Sequence, residues 1–330
     1  MSTIYDVAAL AEVSPATVSR VFNGSPVSAA KIERVRDAAD QLSYTPNRTA
    51  RTLRKQTSEI IALVIPDIEN PFFTALARGV EDAARCEGYS VVLCNTDDDL
   101  DREAQYLEIA ALEHMAGVII GPAGAETDLG PISRRSTAVV AVDRAVAGID
   151  VDTVVFDNVG AGRTATEALI GRGFRRIACI TGPQDIWTAT ERAAGWRDAL
   201  CTAGLEIDES LLVHTDFRVG GGRAALEGLL ALPSPPDAVF VTNNLMAVGV
   251  VEALRSRGLD PSAVGIAVFG DLPFTSTAPP GVSVVSVAAR ELGSLAAALL
   301  LDRMRGDAGP ARTRVVEAVL SPSWSDGVPV

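Results

Sequence analysis

From Glu59 onward, short apolar runs of strand length alternate with stretches of helical periodicity, and no other feature narrows the fold as far. Ile60-Ile61-Ala62-Leu63-Val64-Ile65 is apolar at every position, which suits a parallel strand covered on both faces. The alternation continues with an expected helix at 72–87, strand 90–94, helix 100–114 and strands 117–120, 139–142 and 154–156. It resumes with helix 161–172, strand 177–181, helix 192–203, strand 238–242, helix 246–257, strand 265–269 and a last helix at 290–304. So many units in the greater part of a 330-residue chain fit two Rossmann-like subdomains better than one, with a cleft between them.

The residues before Glu59 read differently. In Ile4-Tyr5-Asp6-Val7-Ala8-Ala9-Leu10-Ala11, apolar Ile4, Val7, Ala8 and Ala11 fall on one face of a helix. Ser14 offers an oxygen to cap a second helix, and Pro15 suits its first position, where no N–H is missed. That helix, 15–23, turns Val18 and Val21 inward and leaves Ala16, Thr17, Ser19 and Arg20 outward. A third, near 28–42, repeats the pattern with Ile32, Val35, Ala39 and Leu42. Two helices joined by Glu12-Val13-Ser14 and backed by a third have the layout of a helix-turn-helix reader. Residues 47–55 hold four basic side chains in nine and few core formers, so a helix there should form only against a partner.

Charge follows the same division. Residues 1–58 hold eight Lys/Arg against five Asp/Glu, whereas the rest hold 21 against 37, within a net charge of −13. A small basic head on a large acidic body suggests separate tasks, with nucleic acid at the head. Cys86, Cys94, Cys179 and Cys201 lie far apart, and His114 and His214 are the two histidines of the chain. Neither a disulfide scaffold nor a zinc site is expected, and no metal or cofactor. The longest apolar runs, such as 295–301, are seven residues against the ~20 a bilayer helix needs. Met1 to Val13 shows no basic region leading into an apolar one, so the expected location is the cytoplasm, at the nucleoid when DNA is bound.

Enzymatic readings fare poorly. GxSxG and HExxH do not occur. Gly160-Ala161-Gly162-Arg163-Thr164-Ala165 fits GxGxxA, but about twenty residues on, where an acid should hold a ribose, stands Ile177-Ala178-Cys179-Ile180-Thr181. A small-residue helix start is the better reading, and Gly220-Gly221-Gly222 is treated alike. Asp97-Asp98-Asp99 with Asp101 lacks an EF-hand's Gly and terminal Glu and reads as a loop leading into a helix. A transport binding protein would share the core but not the basic helix-turn-helix.

Ile4-Tyr5-Asp6-Val7-Ala8 with the run from Val13-Ser14-Pro15 to Phe22-Asn23-Gly24 resembles the headpiece of the LacI/GalR family of bacterial transcriptional repressors. Tyr44-Thr45-Pro46-Asn47 and Ala50-Arg51-Thr52-Leu53 resemble its hinge helix. Pro66-Asp67-Ile68-Glu69-Asn70-Pro71-Phe72-Phe73, Val142-Asp143-Arg144, Asp157-Asn158, Gly182-Pro183, Arg192-Ala193-Ala194-Gly195-Trp196 and Met246-Ala247-Val248-Gly249 extend the likeness in unbroken order. The resemblance implies a headpiece at 1–46, a hinge at 47–57 and a periplasmic-binding-protein-like α/β core at 58–330. The core's N-subdomain is expected at about 58–157 plus 287–315, and its C-subdomain at about 158–286 plus 316–324. The implied partners are a pseudo-palindromic double-stranded operator, a small-molecule effector, a carbohydrate for choice, and a second copy of the chain.

Chemistry supports the DNA roles. Arg20 can bond guanine O6 and N7 in a major groove, and Ala16 can touch a thymine methyl. Pro15 can only shape the contact, while Tyr5, Ser14, Thr17, Ser19 and Asn23 suit phosphate oxygens. In the hinge, Asn47, Arg48, Ala50, Leu53 and Arg54 are the implied contacts, with Leu53 wedged into the minor groove. Two departures stand out. Glu12 occupies a turn position where the family commonly has glycine, so a left-handed backbone there would cost roughly 1–2 kcal/mol. The loop Gly24-Ser25-Pro26-Val27-Ser28 is one residue shorter than usual.

For the cleft, Asn70, Phe72, Phe73, Asp143, Arg144, Thr188, Arg192, Phe217, Asn243 and Asp271 are the expected effector contacts. Carboxylate, guanidinium, amide and hydroxyl among aromatic faces is what a polyol needs, since each buried hydroxyl must be paired. Trp187 either lines the same mouth or plugs the surface. Where the family commonly has Gly-Phe-Asp-Asp, this chain has Val268-Phe269-Gly270-Asp271, so an acid that often binds ligand hydroxyls is missing. The ten residues 321–330 are too short for a tetramerising coiled coil, and a two-fold dimer is expected.

Overall fold

The computed structural model describes residues 2–22, 26–44, 58–259, 264–272 and 281–320. They form two compact units, Met1–Ser58 and Glu59–Val330. The first contains α1 (Ile4–Leu10), α2 (Pro15–Phe22) and α3 (Ala29–Gln41). Val7, Ala8, Ala11, Val18, Val35, Ala38 and Ala39 make its core, with Val21, Phe22, Leu42 and Tyr44 packed around them. Thr3 starts α1 through a reciprocal box: its hydroxyl accepts from Asp6 N–H (3.3 Å), and the Asp6 carboxylate accepts from Thr3 N–H (2.7 Å). Ser14 caps α2 as expected, accepting from Thr17 N–H at 3.2 Å. Glu12 does adopt the left-handed conformation, at φ 54°. Gly24 and Ser25 of the shortened loop 24–28, and the hinge at 47–57, lie outside the described residues.

The second unit contains two lobes of one design. The N-lobe holds β1 (Ile60–Ile65), α4 (Pro71–Cys86), β2 (Ser90–Asn95), α5 (Leu100–Leu112), β3 (Gly117–Ile120), the short α6 (Gly130–Ser133), β4 (Ala138–Val142) and β5 (Asp152–Phe156). The chain then enters the C-lobe with α7 (Asn158–Gly171), β6 (Ile177–Thr181), α8 (Trp187–Thr202), β7 (Leu212–His214), α9 (Val219–Leu230), β8 (Ala238–Val241), α10 (Asn244–Ser256), β9 (Gly265–Phe269) and β10 (Val282–Ser286). It returns for α11 (Ala289–Met304) and β11 (Thr313–Val316), then crosses a third time to β12 (Val319–Leu320). The sheets run β11-β5-β4-β3-β1-β2 and β12-β10-β9-β8-β6-β7. Every pairing is parallel except that of β10 with β12. As the all-apolar run 60–65 implied, Ile61 to Ile65 are fully buried, because helices cover both faces.

Several boundaries differ from the sequence expectation. Helix α7 begins at Asn158 rather than 161, because the Asp157 carboxylate caps Gly160 N–H at 2.8 Å. Helix α8 begins at Trp187 rather than 192, and its first turn, Trp187-Thr188-Ala189-Thr190, lacks an apolar stripe. Helix α9 escaped notice because three glycines dilute its start, and β11 and β12 are exposed edge strands without a clean alternation.

Glycines set the approach of paired helices, Gly222 of that run among them. A Cβ on Gly162 of α7 would lie 2.2 Å from the Arg192 carbonyl oxygen of α8, and one on Gly195 would lie 2.1 Å from Val159 O. Gly222 of α9 and Gly249 of α10 meet Met246 O and Val219 O in the same way, at 2.2 and 1.9 Å. In the N-lobe, Gly79 of α4 and Gly293 of α11 face Arg290 O and Leu76 O at 2.0 and 2.1 Å.

Asp152 anchors the returning chain to the N-lobe. Its side chain is fully buried, and Arg303 donates to it from Nε (2.9 Å) and Nη2 (2.8 Å), while Arg312 donates from its backbone N–H (2.7 Å) and Nη2 (2.9 Å). Burial alone would raise this carboxyl; the hydrogen bonds from the two arginines overcome it and hold the group far below its usual range. A depressed carboxylate stabilises the fold above its unfolded pKa and loses that contribution as pH falls through the folded one. Asp152→Ala is therefore expected to lower the unfolding free energy at pH 7 by about 2–4 kcal/mol, measured by urea denaturation. The gap between parent and variant should begin to narrow as pH falls to about 4 and go on narrowing toward the folded pKa.

Candidate functional site

On the first unit, α2 presents a coherent outer face. Ala16 and Arg20 are exposed, Pro15, Thr17 and Ser19 are half-buried, and Val18 is anchored in the core beneath them. Tyr5 on α1 is 71% exposed, an unusual position for an aromatic ring with no partner to cover it. Ser14 and Thr17 place their hydroxyl oxygens 3.0 Å apart at the helix N-terminus. Backbone N–H groups and hydroxyls gathered there suit an anionic oxygen. Asn23 and the hinge residues Asn47, Arg48, Ala50, Leu53 and Arg54 lie outside the described residues.

In the second unit, a cavity of about 680 Å³ opens between the lobes, at the carboxyl ends of their strands. Open α/β sheets bind ligands there, because successive loops diverge at that edge. All ten expected effector residues line it. Asn70 follows β1 and caps α4, accepting from Phe72 N–H at 3.0 Å, and this sets Phe72 and Phe73 at the start of the helix. The two rings meet edge to face at 4.9 Å, and Phe72, Phe156 and Phe269 continue the string across both lobes at 6.1 and 6.2 Å. Phe217 reaches the cavity over Gly182, where a Cβ would strike its ring at 2.1 Å.

Arg192 is the most constrained member. It is 5% exposed; Nε donates to Asn158 Oδ1 (2.8 Å), Nη1 donates to Thr242 O (2.9 Å), and the guanidinium lies 3.7 Å over the Phe269 ring. Burial pushes its pKa down to about 10, opposed by the Asp143 charge. Asp143 follows β4 at φ 66°, a backbone that L residues adopt at a cost. Its carboxyl is pushed up by burial and pulled back by Arg144 and Arg192. Arg144 donates from Nη1 to Asp98 Oδ1 (2.7 Å) and Pro122 O (2.9 Å), and its buried Nε, without a hydrogen-bond partner, stands 3.6 Å from Asp143 Oδ2. Thr188 is buried in the first turn of α8, and Asn243 caps α10 through Met246 N–H at 2.7 Å while donating to Phe217 O at 3.2 Å.

Two side chains stand apart from this buried set. Asp271 lines the cavity but is exposed, and its carboxylate accepts from the Ser286 hydroxyl at 2.7 Å. Trp187 is 38% exposed and lines a separate shallow hollow with Pro122, Ala145 and Ile186. Sequence reasoning missed Asp67, Asp98, Arg218, Asn244 and Phe269, which also line the cavity. Asp98, in a segment that reads from the sequence as a loop leading into a helix, is the partner of Arg144.

The approach of α8 to α7 decides where Arg192 sits. Gly162→Ala is expected to cost about 1–3 kcal/mol through overpacking and to displace the Arg192 backbone. Gly171→Ala, at a helical position with nothing within 4 Å of the added carbon, should leave stability unchanged or raise it. Thermal unfolding of the two variants tests this pair.

A family profile described as "Bacterial regulatory proteins, lacI family" matches residues 3–47, and one described as "Periplasmic binding proteins and sugar binding domain of LacI family" matches 58–323. The "Ribose operon repressor" of Escherichia coli (strain K12) is 37% identical over 308 residues, covering 92% of this chain and 93% of that protein. The "HTH-type transcriptional repressor CytR" of the same strain is 30% identical, covering 97% and 94%. Among solved structures, a "transcriptional regulator CelR-cellobiose complex" superposes with a TM-score of 0.74 at 33% identity, covering 97% and 98%. A lac repressor dimer bound to operator shares the fold at a TM-score of 0.85 and 24% identity, covering 97% of each chain. This chain belongs to the LacI family of bacterial transcriptional regulators.

Proposed function

We propose that the protein is a dimeric, sequence-specific repressor whose operator affinity is set by an uncharged sugar or sugar derivative held in the cleft. The observation that carries the effector class is the charge balance of the cavity floor. Two guanidiniums, Arg144 and Arg192, face two carboxylates, Asp98 and Asp143, so a phosphate or a carboxylate brought there would find no surplus cation. A neutral polyol has what this floor lacks, donors and acceptors in equal measure, and the aromatic string offers faces for its ring. Relatives named for ribose and a neighbour complexed with cellobiose support the same class. Asp271 is engaged with Ser286 and Gly270 replaces the acid common in the family, so the favoured ligand is one whose hydroxyl pattern does not need that acid.

On DNA, Arg20 and Ala16 read bases from α2, while Tyr5, Ser14, Thr17 and Ser19 hold phosphates. The hinge residues Asn47, Arg48, Ala50, Leu53 and Arg54 dock in the minor groove of a pseudo-palindrome, two copies side by side. The site of action is the cytoplasm, on the nucleoid. No helix among the described residues is long and apolar enough to cross a membrane.

A thermal-shift screen of neutral sugars, nucleosides, sugar acids and sugar phosphates tests the effector class. A cognate ligand at 100 times its Kd adds about 2.7 kcal/mol of stability. Stabilisation by sugar phosphates alone would overturn the neutral reading. Arg192→Ala should abolish the ligand response and spare operator binding in its absence.

The DNA roles are read by titrating labelled operator. Arg20→Ala should lose about 1–3 kcal/mol of discrimination against the wrong base pair. Leu53→Ala should weaken operator binding strongly while leaving effector affinity without DNA nearly unchanged. If it binds operator like the parent, residues 47–55 are only a linker.

A further inference from the structure

The segment between β7 and α9 carries Arg218 to the rim of the cleft, apart from the ion pairs of its floor. Its Nη1 donates to Asp67 Oδ2 at 2.9 Å and to Glu69 Oε2 at 3.3 Å, both in the loop that follows β1 of the opposite lobe. Its Nη2 lies 3.9 Å from Asp97 Oδ1, in the loop after β2. One cation from the C-lobe thus meets three carboxylates of the N-lobe.

Both sides are fixed before they meet. Asp67 is 5% exposed, and its other oxygen accepts from Glu69 N–H at 2.9 Å. Asp97 accepts from Asn95 Nδ2 at 2.8 Å and pairs with Arg102, which keeps it charged. On the far side, Asp216 Oδ1 accepts from the backbone N–H of Arg218 at 3.1 Å and holds the loop that presents the guanidinium. Besides the covalent crossings after β5, β10 and β11, this contact ties the two edges of the mouth directly.

We infer that Arg218 is a clasp that holds the cleft shut, a positioning residue that sets effector affinity through the population of the closed form. A ligand needing the closed cleft binds with its intrinsic Kd divided by the closed fraction. The clasp is 37% exposed on its arginine side and is weakened by salt. Even an uncharged effector then binds less well as ionic strength rises, although the ligand has no charge to screen. Arg218 acts on the closing motion alone, so its effect is independent of the effector's identity.

The test measures the mouth in the full-length protein without ligand. Spin labels are placed at Thr74→Cys and Gly220→Cys, exposed positions on opposite lobes, with Cys86 and Cys201 replaced by Ser. Pulsed dipolar spectroscopy should show one short separation at low salt, and a longer one appearing at 1 M NaCl, where the Debye length falls to about 3 Å. Arg218→Ala should raise the long population at least threefold at low salt, and Arg218→Lys, which keeps the charge, should stay near the parent. Identical distributions for parent and Arg218→Ala at both salts would overturn the clasp. So would opening by Arg218→Lys as wide as by Arg218→Ala, since the effect would then come from local packing and not from charge.

Discussion

Among the described residues three helix pairs meet backbone to backbone, and the geometry of the cleft follows from that spacing. Gly162 and Gly195 let α8 rest on α7 closely enough for Arg192 to reach Asn158 and the Thr242 carbonyl at once. Gly222 and Gly249 join α9 to α10, whose first turns carry the Arg218 loop and the Asn243 cap. Gly79 and Gly293 fix α4, and with it Phe72 and Phe73, against α11. Close packing transmits strain, so a methyl group at any of these places moves a whole helix and the side chains at its end.

The second organising constraint is the burial of charge. A guanidinium almost out of water is costly unless it is paired and hydrogen-bonded. Arg192 meets that demand with an amide, a carbonyl, an aromatic face and a nearby carboxylate, and Arg144 meets it with Asp98 and two carbonyls. The set is internally balanced before any ligand arrives. What remains for a ligand is directional hydrogen bonding, which suits discrimination among neutral ring compounds of similar shape.

Much of the architecture was legible because periodicity reports burial. An all-apolar run such as 60–65 belongs in the middle of a covered sheet, and Ser14-Pro15 belongs at a helix start. Asp143 and Asn243 could be placed at strand ends, where an α/β fold binds, and Asn70 beside a helix start. Thr3 and Asp6 carried a capping signal that was overlooked. Other groups were invisible for a physical reason: Asp98, Arg218 and Phe269 matter through partners that are remote in sequence, and local pattern carries no trace of them. Arg218 meets Asp67 across 151 positions. A glycine run such as 220–222 is ambiguous until its opposite helix is known.

The strand exchange has a consequence during synthesis. The N-lobe sheet lacks its last strand until β11 has been made, after all of the C-lobe but β12. At ~5–20 residues per second, β5 waits roughly 10–30 s with one edge open. An unpaired apolar edge is a template for joining another nascent chain. Asp152, the first residue of that strand, has neither Arg303 nor Arg312 to neutralise it during the interval. A bare carboxylate then sits on the open edge and repels its like on a neighbouring chain. The residue that later locks the lobe together serves, until its partners emerge, as a guard against misassembly.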